Sequence, residues 1–169
     1  TESVYAAAGR VVSMLYAAGT SSATSYDAAG RVATKTDELG HVTTYGYDLV
    51  GRLVTVTDAL GAVTQYGYDE VGSRIAQTDT LGHTTLFAFD ARGREVARTL
   101  PDGSSESKLY LADGSLDTRI DFAGQAVSYA YDAAGRVLSR SYPDASVVSF
   151  TYLADGRRKS VVDERGTTS

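Results

Sequence analysis

The sequence predicts an all-β protein, an antiparallel meander of about 16 short strands made of eight β-hairpin repeats of 21 residues each. Three observations predict this fold. Glycine and tyrosine recur with a period of 21 residues, every period contains two tight-turn signals, and the segments between the turns are rich in Val, Thr and Tyr. A fixed period of this length is typical of repeat proteins, in which each repeat is one supersecondary unit.

The first element of each repeat is an aromatic anchor at the end of a strand. The heptapeptide YDAAGRV occurs unchanged at residues 26–32 and 131–137, which are five periods of 21 residues apart. The anchors recur at Tyr5, Tyr26, Tyr47, Tyr68, Phe89, Tyr110, Tyr131 and Tyr152. All 17 glycines fall into three phases of the same period. The two identical heptapeptides are therefore the least diverged copies in one array, which we expect to fill residues 1–169 as a single domain.

The second element is a tight turn directly after the anchor. Asp27 and Gly30 occupy the first and fourth positions of a type I turn, in which Asp caps backbone N–H groups and Gly adopts the left-handed conformation. The equivalent pairs in other repeats are Asp48 with Gly51, Asp69 with Gly72, Asp90 with Gly93, and Asp132 with Gly135.

An arginine follows the first-turn glycine in six of the eight repeats. The six are Arg10, Arg31, Arg52, Arg94, Arg136 and Arg157. Ser73 and Ser115 take this position in the other two repeats. The guanidinium can lie over the face of a tyrosine and reach the turn aspartate of a neighbouring repeat, so we assign it a structural role.

Two strands and a second turn complete each repeat. Residues 32–36 and 42–47 have the length and the β-branched content of strands. The DELG turn between them ends at Gly40, and Gly61 ends its counterpart in the next repeat. One of these turns has Ala145 in place of glycine, and an alanine held at positive φ costs roughly 1 kcal/mol.

The alternation of side chains along a strand places aromatic pairs on one face of the sheet. Tyr45 and Tyr47 are two residues apart, as are Tyr66 and Tyr68, so the members of each pair share a face. We expect successive pairs to form a row along that face, with about 9.5 Å between neighbouring hairpins.

Composition argues against several classes of function. The net charge of −5 and the pI of about 4.9 disfavour the binding of nucleic acid through a basic surface. The sequence has no run of 18 apolar residues that would predict a membrane span. It also contains no cysteine, which excludes disulfides and thiolate chemistry.

No residue is predicted to be catalytic, to bind a cofactor or to ligate a metal. His41 and His83 lie two repeats apart, about 19 Å on regular strand spacing, which is too far for one metal ion. The turn aspartates recur once per repeat and are assigned to turn capping, with weak cation binding at the surface as the alternative. No GxSxG motif joins a strand to a helix.

The repeat unit YDAAGRV…DELGHVTTYGYD resembles the YD repeat of the Rhs family over essentially the whole chain. That family includes bacterial polymorphic toxins, subunits of insecticidal toxin complexes and the animal teneurins. The resemblance implies a curled segment of a hollow β-sheet shell, which in the toxins encloses an effector until delivery. It also implies a fragment of a longer bacterial protein, secreted or at the cell surface, without catalysis of its own. The implied partners are neighbouring repeats of the same shell and the enclosed toxin effector.

Three repeats depart from the family pattern. The sixth and eighth begin YLADG, with Asp113 and Asp155 next to the glycine, and the first has Ala6 in place of the aspartate. The family's aspartyl autoprotease segment carries an Asp-Pro motif that has no equivalent in this sequence. We therefore do not expect self-cleavage in this chain.

Two alternatives stay open at this stage, together with one question of assembly. The face that carries tyrosine, serine and threonine could bind saccharides, which would make the chain an adhesion module. A β-propeller needs about four strands per blade, so eight hairpins could make four blades, although a stronger period of 42 would then be expected. The open sheet edges predict either that the sheet curls to bury its aromatic face or that copies pair into a homo-oligomer.

Overall fold

The computed structural model describes residues 2–6, 9–17, 19–164 and 166–168. In these residues the fold is all-β, as predicted, with 17 antiparallel strands joined by tight turns and without a helix. No helix in these ranges is therefore long and apolar enough to cross a membrane. The chain divides into two compact units, Thr1–Thr84 and Thr85–Ser169.

The first unit contains the first eight strands. They are β1 (Glu2–Tyr5), β2 (Val11–Leu15), β3 (Ser21–Tyr26), β4 (Val32–Thr36), β5 (Val42–Tyr47), β6 (Leu53–Thr57), β7 (Val63–Tyr68) and β8 (Arg74–Thr78). Each strand from β1 to β8 pairs antiparallel with the strand that follows it within the unit. The unit is therefore a meander of hairpins, as the repeat predicts.

The second unit repeats this arrangement. Its strands are β9 (Thr84–Phe89), β10 (Glu95–Thr99), β11 (Ser105–Tyr110), β12 (Leu116–Ile120), β13 (Ala126–Tyr131), β14 (Val137–Ser141), β15 (Val147–Tyr152), β16 (Arg158–Asp163) and β17 (Gly166–Thr168). Consecutive strands again pair antiparallel. The described strands number 17 and not 16 because β17 follows the second turn of the eighth repeat.

Both turns of a repeat share one backbone conformation. In the first turn, the Asp27 N–H donates to the Arg31 carbonyl and the Gly30 N–H donates to the Asp27 carbonyl, each at 2.9 Å. Gly30 has a φ of 81°, in the left-handed region that the turn requires. Ala145 has a φ of 66° and is the one non-glycine residue at positive φ in the described part of the chain. The predicted strained alanine is confirmed.

A β-bulge follows the first turn of every repeat. Tyr26 pairs with Val32, whereas Ser25 pairs with Thr34, so Ala33 of β4 has no partner residue on β3. The same shift of register occurs in the seven other hairpins of this type. The hairpins closed by the second turn have no such shift. A bulge increases the local twist of the strand, so each repeat adds twist at one fixed position.

Neither unit has a hydrophobic core. Among the described residues no hydrophobic side chain is buried, and the one buried residue is Glu106, which is 5% exposed. Within each unit the described strands pair with their neighbours in sequence, and the paired aromatic side chains, such as Tyr45 and Tyr47, are half-buried rather than buried. Burial of the aromatic face by curling therefore does not occur inside either unit, and the pairing of copies stays a prediction. Turns and cross-strand contacts must supply the stability that a core provides in other proteins.

Candidate functional site

The repeated contact of the structure is a ladder formed by the anchor tyrosine, the first-turn aspartate and the arginine that follows this turn. In the second repeat, Oδ1 of Asp27 accepts the Arg31 backbone N–H at 2.9 Å, and Oδ2 accepts the Arg31 Nε at 2.7 Å. These donors lower the pKa of the Asp27 carboxyl below its ordinary value, although burial opposes them. Equivalent carboxylate contacts are made by Arg52 with Asp48, Arg94 with Asp90 and Arg136 with Asp132.

Each arginine also reaches the next repeat. The guanidinium of Arg31 lies 4.6 Å from the centre of the Tyr47 ring, and its Nη1 donates to the Asp48 carbonyl at 3.3 Å. The predicted contact with a neighbouring tyrosine is therefore present. The guanidinium also reaches the turn aspartate of the neighbouring repeat, as predicted, and it does so through the backbone carbonyl of that aspartate. The carboxylate that Arg31 binds belongs to its own turn.

The stacking contact recurs in five repeats. The carbon-to-ring-centre distances are 4.7 Å for Arg10 on Tyr26, 4.6 Å for Arg31 on Tyr47, 4.9 Å for Arg52 on Tyr68, 4.1 Å for Arg94 on Tyr110 and 4.7 Å for Arg136 on Tyr152. Contacts of this kind contribute about 0.5–1 kcal/mol each at partly exposed sites.

The anchor hydroxyl completes the ladder in the opposite direction. Tyr47 Oη donates to the Val32 carbonyl at 2.9 Å, which lies at the start of the second strand of the preceding repeat. The same bond is made by Tyr26, Tyr68, Tyr110, Tyr131 and Tyr152, at 2.8–3.3 Å. Each tyrosine is therefore fixed by both an arginine and a carbonyl of the previous repeat wherever the arginine is present. Sequence reasoning missed this bond.

A second set of cations lies near four of the rings that precede an anchor by two residues, namely Tyr45, Tyr66, Tyr129 and Phe150. Lys35 Nζ lies 6.0 Å from the centre of the Tyr45 ring, and the Arg140 guanidinium lies 5.7 Å from Tyr129 and 5.4 Å from Phe150. The expected row of aromatic side chains is thus interleaved with positive charge.

At the second turn, the two histidines make a contact equivalent to that of the arginine at the first turn. Nδ1 of His41 lies 2.9 Å from Oδ2 of Asp37, and Nδ1 of His83 lies 3.2 Å from Oδ2 of Asp79. More than half of each histidine side chain is exposed. Within the described ranges, no group of three or more histidine and acidic side chains could hold a metal ion. Each histidine therefore serves its own turn.

Comparison with known proteins identifies the repeat. The model of the family described as RHS Repeat matches residues 5–42, 26–57, 47–75 and 68–105, which together span more than half of the chain. A search of curated protein sequences gave no match.

Solved structures of toxin complexes share the fold. A crystal structure of TcdB2-TccC3 matches with a TM-score of 0.53 at 17% identity, over 92% of this chain and 11% of that one. The crystal structure of TcdB2-TccC3-Cdc42 gives 0.52 at 17% identity, again over 92% of this chain and 11% of that one. A Photorhabdus luminescens Tc holotoxin pore with mutated TccC3 gives 0.50 at 15% identity, over 93% of this chain and 12% of that one. This chain thus spans about a ninth of the length of the chains it matches.

Proposed function

The chain belongs to the RHS repeat family, and from this premise we propose that it is a wall segment of a shell that encloses a secreted toxin effector. Its function in this proposal is mechanical, without catalysis of its own. Its partners are the neighbouring repeats of the same shell and the enclosed polypeptide. The parent protein would act outside the bacterial cell or at its surface.

One observation carries the proposal. The side chains that recur along the array would be the first candidates for a binding or catalytic site, and they are used in contacts within and between repeats. Arg52 illustrates this, because it binds the Asp48 carboxylate, covers Tyr68 and donates to the Asp69 carbonyl at 2.8 Å. A residue committed in this way holds one hairpin against the next, which is what the wall of a shell requires.

The same contacts favour a wall over the adhesion module that the sequence left open. A saccharide-binding tyrosine offers a ring face on which a sugar can stack. In the ladder, Arg31 covers one face of Tyr47, and the Tyr47 hydroxyl is already bonded to a backbone carbonyl. The anchor tyrosines that an arginine covers therefore have neither a free hydroxyl proton nor a fully open ring for a sugar.

Protease protection of the protein that contains this chain tests the proposal. We expect the enclosed segment to resist digestion in the native protein and to be cut when the ladder is weakened by Arg52→Ala together with Arg31→Ala. Arg158→Ala, which removes an arginine outside the ladder, is the matched control and should preserve protection. Equal digestion of the enclosed segment in the native protein and in the ladder variant would contradict an enclosing role.

A further inference from the structure

The second unit carries a row of three arginines on its aromatic face. Arg98 on β10, Arg119 on β12 and Arg140 on β14 each follow their anchor by nine residues. Arg140 pairs in register with Tyr129, which places the row on the face of the aromatic side chains. Neighbouring members are two strands apart, about 9.5 Å. The equivalent residues of the first unit are Met14, Lys35, Val56 and Gln77, none of which is arginine, so the arginine row belongs to the second unit.

A glutamate fills the first gap in this row. Glu106 lies on β11 opposite Arg98. Its Oε1 accepts from Nη2 of Arg98 at 3.1 Å, and its Oε2 accepts from Nη2 of Arg119 at 3.0 Å. The glutamate side chain is only 6% exposed, whereas the two arginine side chains are 40% and 50% exposed. One carboxylate is thus held between arginines from the two flanking strands.

The second gap has the same backbone register but no carboxylate. Val127 lies opposite Arg119, as Glu106 lies opposite Arg98. The guanidinium of Arg140, on the far side of this gap, is held near the rings of Tyr129 and Phe150. No ion pair joins Arg140 to a carboxylate of the described residues. The gap therefore lies between two arginines, as the Glu106 site does, but has valine in place of the acid, and Arg119 already bonds Glu106 on its other side.

We propose that the gap between Arg119 and Arg140 binds a carboxylate side chain from an acidic, extended segment of the enclosed polypeptide, as Glu106 is bound in the preceding repeat. The identity of this occupant rests on the proposed function. The chemistry rests on charge complementarity, since guanidinium groups match carboxylates in shape and charge. Access is open because Arg119 and Arg140 are both exposed.

A peptide titration of the isolated chain followed by ¹⁵N NMR tests the site. The probe is a hexaglutamate peptide at low salt, with hexaglutamine as the uncharged comparison. We expect saturable shifts at Val127, Tyr129 and Arg140 with hexaglutamate alone. Val127→Glu supplies an internal carboxylate and should weaken binding about fivefold, which corresponds to the upper range for partly exposed ion pairs.

The matched control is Thr64→Glu. Thr64 has the position of Val127 in the first unit, but it lies opposite Val56 rather than an arginine. The Thr64→Glu substitution adds the same charge at the same position of the repeat. The affinity for hexaglutamate should therefore stay within about twofold of the native value. Arg140→Gln gives a second test that does not depend on how a new glutamate packs, and it should weaken binding by about the same factor as Val127→Glu.

Three results would overturn the inference. These are equal binding of hexaglutamine, equal loss of affinity in Thr64→Glu and Val127→Glu, or full affinity in Arg140→Gln. Because this titration needs no enclosed effector, it can succeed even if the protease experiment refutes the shell. Conversely, protection of an effector with no peptide binding would leave the wall function intact and remove only the carboxylate site.

Discussion

Replacing Ala145 by glycine should stabilise the protein, although it deletes a methyl group from an exposed turn. Ala145 is held at a φ of 66°, where every other described turn of this kind has glycine. The left-handed conformation costs a residue with a Cβ about 1–2 kcal/mol. Glycine loses about 0.4–1 kcal/mol through the greater freedom of the unfolded chain. The expected net gain is therefore about 0–1.6 kcal/mol, with a midpoint of about 0.8 kcal/mol.

Ala134→Gly is the matched control for this prediction. Ala134 is also an exposed turn residue, but its φ is not positive, so glycine brings only the entropic loss. Because the entropic term is common to both variants, the difference between them isolates the cost of the left-handed alanine, about 1–2 kcal/mol. Urea unfolding followed by circular dichroism measures both free energies. Shifts of the same sign in the two variants would refute the assignment of strain to Ala145.

Three further predictions concern the ladder. Tyr68→Phe leaves the Leu53 carbonyl without its 2.8 Å donor and should cost about 1 kcal/mol in urea unfolding; an unchanged midpoint would mean that water replaces the hydroxyl at no cost. Ser115→Arg should place a guanidinium over Tyr131 and raise the unfolding free energy by about 0.5–1 kcal/mol, and a lower midpoint would argue against the stacking role of the arginine. Acid should lower the free energy of unfolding. The backbone N–H and guanidinium of the arginine after each first turn donate to the turn aspartate and lower its pKa below the ordinary value of 3.8. The aspartates affected are Asp27, Asp48, Asp90 and Asp132. The contribution of these aspartates to stability is complete above a pH of about 3.8, and it is lost as the pH falls through their pKa values in the folded protein. A free energy of unfolding that stays constant from pH 5 to pH 2 would contradict this prediction.

The strands and turns could be read from the sequence because each repeat confirms the others. A single DAAG or DELG is a weak turn signal, but eight copies in phase fix where every hairpin begins and ends. The same comparison identified Ala145 as the one residue that replaces a turn glycine, and its positive φ shows that it adopts the conformation of that glycine. Periodicity therefore predicts backbone conformation well in a protein of this kind.

The side-chain partners could not be read in the same way. Spacing shows which residues share a face, but it does not show which atom of a neighbour a long side chain will reach. The bulge at Ala33 moves Val32 into register with Tyr26, and no residue type in the sequence marks that bulge. Sequence reasoning therefore missed the hydroxyl bond to the preceding repeat. It also did not show that the arginine binds the carboxylate of its own turn and the backbone carbonyl of the neighbour's aspartate.

Glu106 was missed for a different reason, since it occurs in one repeat only and averaging over repeats removes it. A comparison of charges by phase would have found it. Glu106 precedes its anchor by four residues, while Arg98 and Arg119 take the ninth position after the anchors on either side. Opposite charges at two positions of the repeat that pair across neighbouring strands are a usable signal for such cross-strand ion pairs.

The way in which the ladder joins each repeat to the next has a consequence for how such a protein can change during evolution. Since the stacking contact and the bonds to backbone carbonyls join one repeat to the next, deletion or duplication of one whole period would restore an equivalent set of contacts at the new junction. A change of any other length would put glycine, aspartate and tyrosine out of phase and break the junction. Genes for such arrays should therefore tolerate gain and loss of DNA in steps of 63 base pairs, the coding length of 21 residues.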